Sequence, residues 1–146
     1  MQIYRRTSHT VFDLKYHLIW TTEYRKPVLV GNVGMRVRDL IREICQNHNI
    51  QIIRGHISKD HVHLFLSIPP QISISKAAQY IKGKTSRKLL DENANLKKQF
   101  WGQHLWSRGY FAASSGAITD EMIMEYIESQ DEDRDKRGDN FTVIDT

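Results

Sequence analysis

The chain has 146 residues, which is enough for one domain with its own hydrophobic core. Its single cysteine, Cys45, excludes an internal disulfide and lies in a helical pattern that indicates packing. The first residues lack the apolar run of a signal peptide, and no segment has the apolar length of a membrane span. We therefore expect one domain over residues 1–146, located in the cytoplasm and without a membrane partner.

The net charge of +4 conceals an uneven distribution along the chain. Residues 1–118 contain 18 lysines and arginines against 7 acidic residues, a net charge of +11. Residues 119–146 contain 3 against 10, a net charge of −7. A strongly basic body indicates a polyanionic partner such as nucleic acid, because each neutralised phosphate releases counterions. A solvated surface that keeps the protein soluble is the alternative explanation.

The first half of the chain predicts a strand, a helix and two further strands. Leu14–Thr21 alternates and is rich in aromatic and branched residues, which is typical of a strand. A period of 3.6 residues predicts an amphipathic helix from Gly34 to about Asn47. Gln51–Ser58 and His61–Ile68 are predicted strands separated by two residues, so we expect them to form a hairpin.

The second half adds a helix and a strand. Ser73 or Ser75 can cap a helix that runs to about Leu90, and Leu105–Ala113 is typical of a strand. The order β-α-β-β-α-β predicts an α+β fold of the ferredoxin-like, split β-α-β type, an antiparallel sheet with both helices on one face.

A third helix is predicted beyond the sheet. The small residues Ser114–Gly116 form a flexible joint, and Thr119 can serve as the N-cap of a helix that reaches about Gln130. From about residue 131 the chain is densely charged, which indicates a fraying helix end or a solvated tail.

Two histidines in the third predicted strand are candidate metal ligands. Side chains alternate across a strand, so His61 and His63 point to one face while Val62 points to the other. Imidazoles at this spacing can share a divalent ion. Two polar residues on a solvated sheet face would give the same pattern.

The third helix carries the candidate nucleophile. Tyr126 and Gln130 are four residues apart and therefore share a helix face. If the helix docks across the sheet, the Gln130 carbonyl oxygen can act as a third metal ligand and the Tyr126 phenol can attack a phosphate. The alternative is that Tyr126 is an aromatic residue packed on a helix face.

Three sequence blocks carry a family resemblance. Asp60–Pro70 (DHVHLFLSIPP), Phe100–Gly116 (FWGQHLWSRGYFAASSG) and Glu125–Gln130 (EYIESQ) look like the TnpA-type single-tyrosine HUH transposases of IS200-like elements, where U is a hydrophobic residue. The segment Lys15–Leu29 (KYHLIWTTEYRKPVL) is similar to the first strand and loop of that family. The resemblance spans roughly residues 12 to 131.

This resemblance implies a mechanism and partners. It implies that His61 and His63 bind Mg²⁺ or Mn²⁺, that Gln130 completes the site, and that Tyr126 attacks single-stranded DNA to leave a 5′-phosphotyrosine and a free 3′-hydroxyl. It further implies hairpins near the element ends as the recognised DNA, and homodimers in which the histidines of one protomer work with the tyrosine helix of the other. The Ser114–Gly116 joint would suit that exchange.

Candidate DNA-binding residues lie on the second helix and in nearby loops. Basic and aromatic side chains there could follow phosphates and stack on bases. They are Arg54, Lys82, Lys84, Arg87, Lys88, Tyr24, Arg25 and Lys26. Each could equally be a solvated surface group. Asp60 could orient the neighbouring imidazole or act as a turn residue.

Two other functions stay open at this stage. One is a related HUH nuclease, or a domesticated transposase that cuts host hairpins. The other is a non-catalytic ferredoxin-like module that stacks bases on its sheet. That module predicts aromatic residues in the middle of the sheet face, where this sequence has His61 and His63.

Overall fold

The structure is a computed structural model that describes residues 4–101, 104–116 and 120–134. Its centre is a four-stranded antiparallel sheet with the order β4-β5-β3-β6. The strands are β3 (Lys15–Thr21), β4 (Gln51–Ile57), β5 (His61–Ser67) and β6 (Phe111–Ser114). The helices are α1 (Gly31–Asn47), α2 (Ile74–Glu92), α3 (Ala94–Gln99) and α4 (Asp120–Arg134). This is the predicted split β-α-β arrangement, with β5 inserted between β3 and β4.

The main hydrophobic core lies between one sheet face and helices α1 and α2. The sheet contributes alternate residues such as Leu18 and Trp20 of β3 and Val62 of β5, all fully buried. The apolar stripes predicted for the two helices are buried against them, for example Val37 and Ile81. The Ser73 hydroxyl accepts a hydrogen bond from the Lys76 backbone N–H (3.1 Å), which confirms the predicted helix cap.

Several element bounds differ from the sequence prediction. Helix α1 begins at Gly31, one turn early, because that first turn buries little apolar surface and so leaves no periodic signal. Helix α3 was not predicted, since Leu96 is its one buried residue. A two-stranded ribbon, β1 (Arg5–Arg6) with β2 (Val11–Phe12), also escaped prediction.

The last predicted strand is shorter and the last helix longer than expected. Regular pairing starts at Phe111, and residues 104–110 form a loop in which Trp106 makes one isolated bridge to Thr22. Gly109 has φ +79°, a left-handed conformation that interrupts a strand. Helix α4 continues past Gln130 to Arg134. The predicted cap Thr119 and the tail beyond Arg134 lie outside the described residues.

None of the helices within the described ranges has the length and apolar character needed to cross a bilayer.

Candidate active site

The sheet face opposite helices α1 and α2 is rich in histidine. Strand β5 directs His61, His63 and Phe65 to this face, because Val62 and Leu64 belong to the main core. Cross-strand pairing adds a histidine from each neighbouring strand: His56 pairs with His63, and His17 pairs with Phe65. Four of the seven histidines therefore share one face of the sheet: His17, His56, His61 and His63.

His61 is held by a buried carboxylate. Its Nδ1 lies 2.9 Å from Asp60 Oδ1, and its side chain is 1% exposed. The other Asp60 oxygen accepts hydrogen bonds from Arg25 Nε (3.1 Å) and Nη2 (2.7 Å). Burial by itself would raise the pKa of the Asp60 carboxyl, but the hydrogen bonds from His61 and Arg25 outweigh it and the pKa is lowered. The Asp60 carboxyl is therefore ionised and is hydrogen-bonded to both His61 and Arg25.

His63 is paired with a histidine that the sequence did not single out. His17 Nδ1 lies 2.9 Å from His63 Nε2, and the His17 ring stacks on Phe65 with 4.4 Å between ring centroids. Burial, together with the nearby positive charge of Arg54, lowers the pKa of His17. Both imidazoles of the HUH triplet therefore have a side-chain partner, although the partners come from different parts of the chain.

Helix α4 packs on the sheet face that carries these four histidines, which we call the histidine face. It packs against β3 and against the 3₁₀ turn Glu23–Arg25. Phe111 pairs with Ile19 and so shares its face, and the Phe111 ring contacts the Tyr126 ring at 5.8 Å between centroids. Ile19 and Ile127 are both fully buried, although neither belongs to the main core. The helix that carries Tyr126 therefore covers the sheet face that carries His61 and His63.

The predicted third ligand, Gln130, lies in α4 one turn after Tyr126. Its side chain is outside the described part of the structure. Within that part, no cluster of three or more histidine, cysteine, aspartate or glutamate residues is placed to hold an ion. A site here would therefore combine the two imidazoles with a ligand of another kind.

The chemistry of these donors suits a divalent cation. A carboxylate accepts hydrogen bonds and cannot donate them, so the Asp60 contact requires the proton of a neutral His61 to be on Nδ1. The lone pair of His61 is then on Nε2, and a neutral imidazole with such a lone pair is the form that binds metals. Amide and water oxygens are ligands that Mg²⁺ and Mn²⁺ accept beside nitrogen.

Three of the predicted DNA-binding side chains make contacts within the protein. Arg25 is 7% exposed in its ion pair with Asp60. The Lys82 ammonium donates to the carbonyls of Ser107 (2.9 Å) and Gly109 (2.6 Å), and burial lowers its pKa to about 8. Lys26 donates to a backbone carbonyl and lies over an aromatic ring. Arg25 and Lys82 therefore contribute to the fold, and Lys82 also lines the cleft that contains Arg87. Their contact with DNA stays a prediction.

The other predicted DNA-binding residues are exposed: Tyr24, Arg54, Lys84, Arg87 and Lys88. Arg54 pairs with Phe65 and so belongs to the histidine face. Arg87 lines a cleft of about 560 Å³ between α2 and the 104–108 segment. Lys97 of helix α3 and Arg108 of the 104–110 loop line the same cleft; the sequence pattern did not single them out, because α3 was not predicted and residue 108 was assigned to a strand.

Comparison with known proteins identifies the family. Residues 10–130 match the family described as "Transposase IS200 like". The chain is 38% identical over 120 residues to the ISDra2 transposase TnpA of Deinococcus radiodurans, covering 82% of this chain and 86% of that protein. It is 32% identical over 136 residues to the transposase for insertion sequence element IS200 of Salmonella typhimurium, covering 93% and 88%.

Solved structures agree with the sequence relatives. A crystal structure of a putative transposase from Deinococcus radiodurans has a TM-score of 0.79 and 32% identity, covering 86% of this chain and 97% of that one. A REP-associated tyrosine transposase bound to a REP hairpin shares the fold, with a TM-score of 0.53, 12% identity, and 88% and 69% coverage. The family match and these relatives together show that the chain belongs to the IS200-like transposase family.

Proposed function

We propose that this IS200-like transposase cuts and rejoins single-stranded DNA at the ends of an insertion sequence, with Tyr126 as the nucleophile. The observation that carries the proposal is that helix α4 packs on the sheet, which places Tyr126 over the same sheet face as His61 and His63. An attacking phenol and a pair of metal-binding imidazoles are the groups that such a phosphoryl transfer needs in one place.

The reaction has two balanced steps. In the first, the Tyr126 phenolic oxygen loses its proton and attacks the scissile phosphorus; the bond from phosphorus to the 3′-oxygen breaks, and that oxygen takes up a proton. The products are a 5′-phosphotyrosine and a free 3′-hydroxyl. In the second, another 3′-hydroxyl attacks the phosphotyrosine, restores the phenol and joins the strands. The ester conserves the bond energy, so no nucleotide cofactor is consumed.

His61, His63 and Gln130 are the proposed ligands of Mg²⁺ or Mn²⁺. Such an ion, when bound, would polarise the scissile phosphate and orient it for in-line attack. Asp60 Oδ1 contacts His61 Nδ1 and leaves His61 Nε2 for an ion, whereas His17 Nδ1 contacts His63 Nε2, so an ion would bind His63 through Nδ1 or replace the His17 contact. Two oriented imidazoles lose less side-chain entropy when they bind an ion than two mobile ones would.

The proposed DNA surface consists of the exposed members of the predicted set. Arg54 lies on the histidine face, where a guanidinium can hold a phosphate close to the reacting groups. The basic cleft beside α2 would hold a further stretch of the backbone. Subterminal hairpins are the proposed substrate, and the proposed assembly is a homodimer in which either protomer supplies the tyrosine helix. Gly116, with φ +85°, is a suitable hinge for that exchange.

A covalent adduct assay tests the proposal. The protein is incubated with Mn²⁺ and a single-stranded oligonucleotide that contains an element end, and the mixture is resolved under denaturing conditions. We expect wild type to give a protein–DNA adduct, Tyr126→Phe to give none while retaining hairpin binding, and chelator to prevent cleavage. Tyr80→Phe is the matched control, because Tyr80 stacks on His48 and lies on helix α2.

The alternatives predict different results from the same assay. A non-catalytic binding module gives no adduct with any variant. A nuclease that acts on host hairpins gives an adduct with hairpin DNA but does not rejoin element ends. An adduct that persists in Tyr126→Phe would show that another residue is the nucleophile.

A further inference from the structure

Arg25 and Asp60 form a buried ion pair behind the proposed metal site. Arg25 Nε and Nη2 both donate to Asp60 Oδ2, at 3.1 and 2.7 Å, and the two side chains are 7% and 5% exposed. Removing two charges from water costs free energy that a hydrophobic pair would not cost, so stability alone is a weak reason for the pair. Because its guanidinium is buried, Arg25 is also poorly placed to hold a DNA phosphate.

The backbone around Arg25 is tightly fixed. Tyr24 and Arg25 have φ of 57° and 50°, a left-handed conformation that is unfavourable for residues other than glycine. Hydrogen bonds hold this turn to the segment before β5 and to the loop before β6: Thr22 N donates to Asp60 O (2.9 Å), and Glu23 N donates to Leu105 O (2.8 Å). A conformation of this kind persists when the surroundings determine it from several sides.

The pair acts on His61 through the second carboxylate oxygen. Asp60 Oδ1 lies 2.9 Å from His61 Nδ1, so Arg25, Asp60 and His61 form one continuous chain of hydrogen bonds. Arg25 occupies Oδ2 and leaves Oδ1 for the imidazole, which fixes both the rotation of the ring and the position of its proton. Helix α4 packs against the same 3₁₀ turn that carries Arg25. One loop therefore supports both the histidine and the tyrosine helix.

We propose that Arg25 and Asp60 are positioning residues that hold His61 with its proton on Nδ1 and its Nε2 lone pair directed to the metal. This inference rests on the proposed function for the identity of the ligand, but the position of the His61 proton is a property of the metal-free protein.

The first test measures that proton in metal-free protein. Proton–nitrogen correlation spectra of the imidazole rings distinguish protonation on Nδ1 from protonation on Nε2. We expect His61 of wild type to be protonated on Nδ1, and Asp60→Ala to lose this preference. Asp60→Asn is the milder variant, because its amide oxygen can still accept the Nδ1 proton, so we expect it to retain the wild-type form. Wild-type His61 protonated on Nε2 would overturn the proposal.

The second test measures Mn²⁺ affinity by calorimetry together with hairpin binding. Loss of such an outer partner typically weakens metal binding by about 10- to 100-fold. We expect that loss for Asp60→Ala and Arg25→Gln, a smaller loss for Arg25→Lys, and unchanged hairpin affinity for all three. Arg36→Gln is the matched control, because Arg36 makes a two-point ion pair with Glu92 that is exposed and lies between α1 and α2.

The outcomes separate this inference from the proposed function. If Arg25→Gln weakens hairpin binding but leaves Mn²⁺ affinity and the His61 proton unchanged, Arg25 is a DNA contact and the inference is wrong. If Asp60→Ala and Arg25→Gln only lower the unfolding temperature, the pair is a structural clamp and the inference is also wrong. If wild type binds no Mn²⁺ while His61 carries its proton on Nδ1, the metal proposal fails and the positioning of the ring stands.

Discussion

The packing of helix α4 on the sheet can be tested by truncating one side chain, Ile127. This side chain is fully buried although it lies outside the main core, and its helix packs against β3 and the 3₁₀ turn. Ile127→Ala removes apolar surface from that contact without altering Tyr126 or the histidines. The substitution therefore asks whether the contact of α4 with the sheet is needed for the chemistry.

The expected magnitude follows from the complete burial of Ile127. Three carbon atoms are lost at about 0.8 kcal/mol each, and the residual cavity adds to this, which gives a loss of about 2.5–4 kcal/mol in the free energy that holds α4 on the sheet. Because about 1.4 kcal/mol corresponds to a factor of ten in an equilibrium constant, the fraction of molecules in which α4 has left the sheet should rise roughly 50- to 1,000-fold.

Hydrogen exchange and adduct formation are the two readouts. We expect backbone amides of α4 to exchange faster by up to that factor, amides of β5 to change little, and the yield of covalent adduct to fall. Met124→Ala is the matched control, because Met124 lies on the same helix and is 46% exposed. If Ile127→Ala and Met124→Ala give the same exchange in α4 and the same adduct yield, the contact described here is not the one that the enzyme uses.

Two further predictions concern stability. Ser73→Ala should cost about 1 kcal/mol in denaturant unfolding, because the cap on the Lys76 N–H is lost, whereas Ser75→Ala should cost little; equal losses would contradict the cap. Burial lowers the pKa of Lys82 from 10.5 to about 8, so between pH 8 and 9 the unfolded chain holds more protons than the folded chain and the free energy of unfolding should rise with pH; above pH 9 the buried Cys45 thiol, whose pKa is raised from 9.0 to about 12, acts in the opposite direction. Lys82→Met should lose this rise and the exposed Lys84→Met should keep it; a rise that survives in Lys82→Met would refute the assignment.

The sequence by itself determined the elements and the identity of the central residues. Strands and amphipathic helices repeat every 2 and 3.6 residues, so local patterns located β5, α2 and the shared face of His61 and His63. The same local reading missed α3, where one buried residue produces no period. The family motifs were also readable because each one is continuous in the chain.

Only the tertiary structure decided which groups support these residues. His17 contacts His63, which is 46 positions away in the sequence, and Arg25 contacts Asp60, which is 35 positions away. Such contacts depend on strand register and on the path of a loop, which no local period encodes. For the same reason the sequence did not reveal the internal contacts of Arg25 and Lys82, because the pattern around a basic residue does not show whether its side chain meets solvent, a buried carboxylate or a backbone carbonyl. Burial is a property of the packed chain, and it decided which charges serve the fold and which stay on the surface.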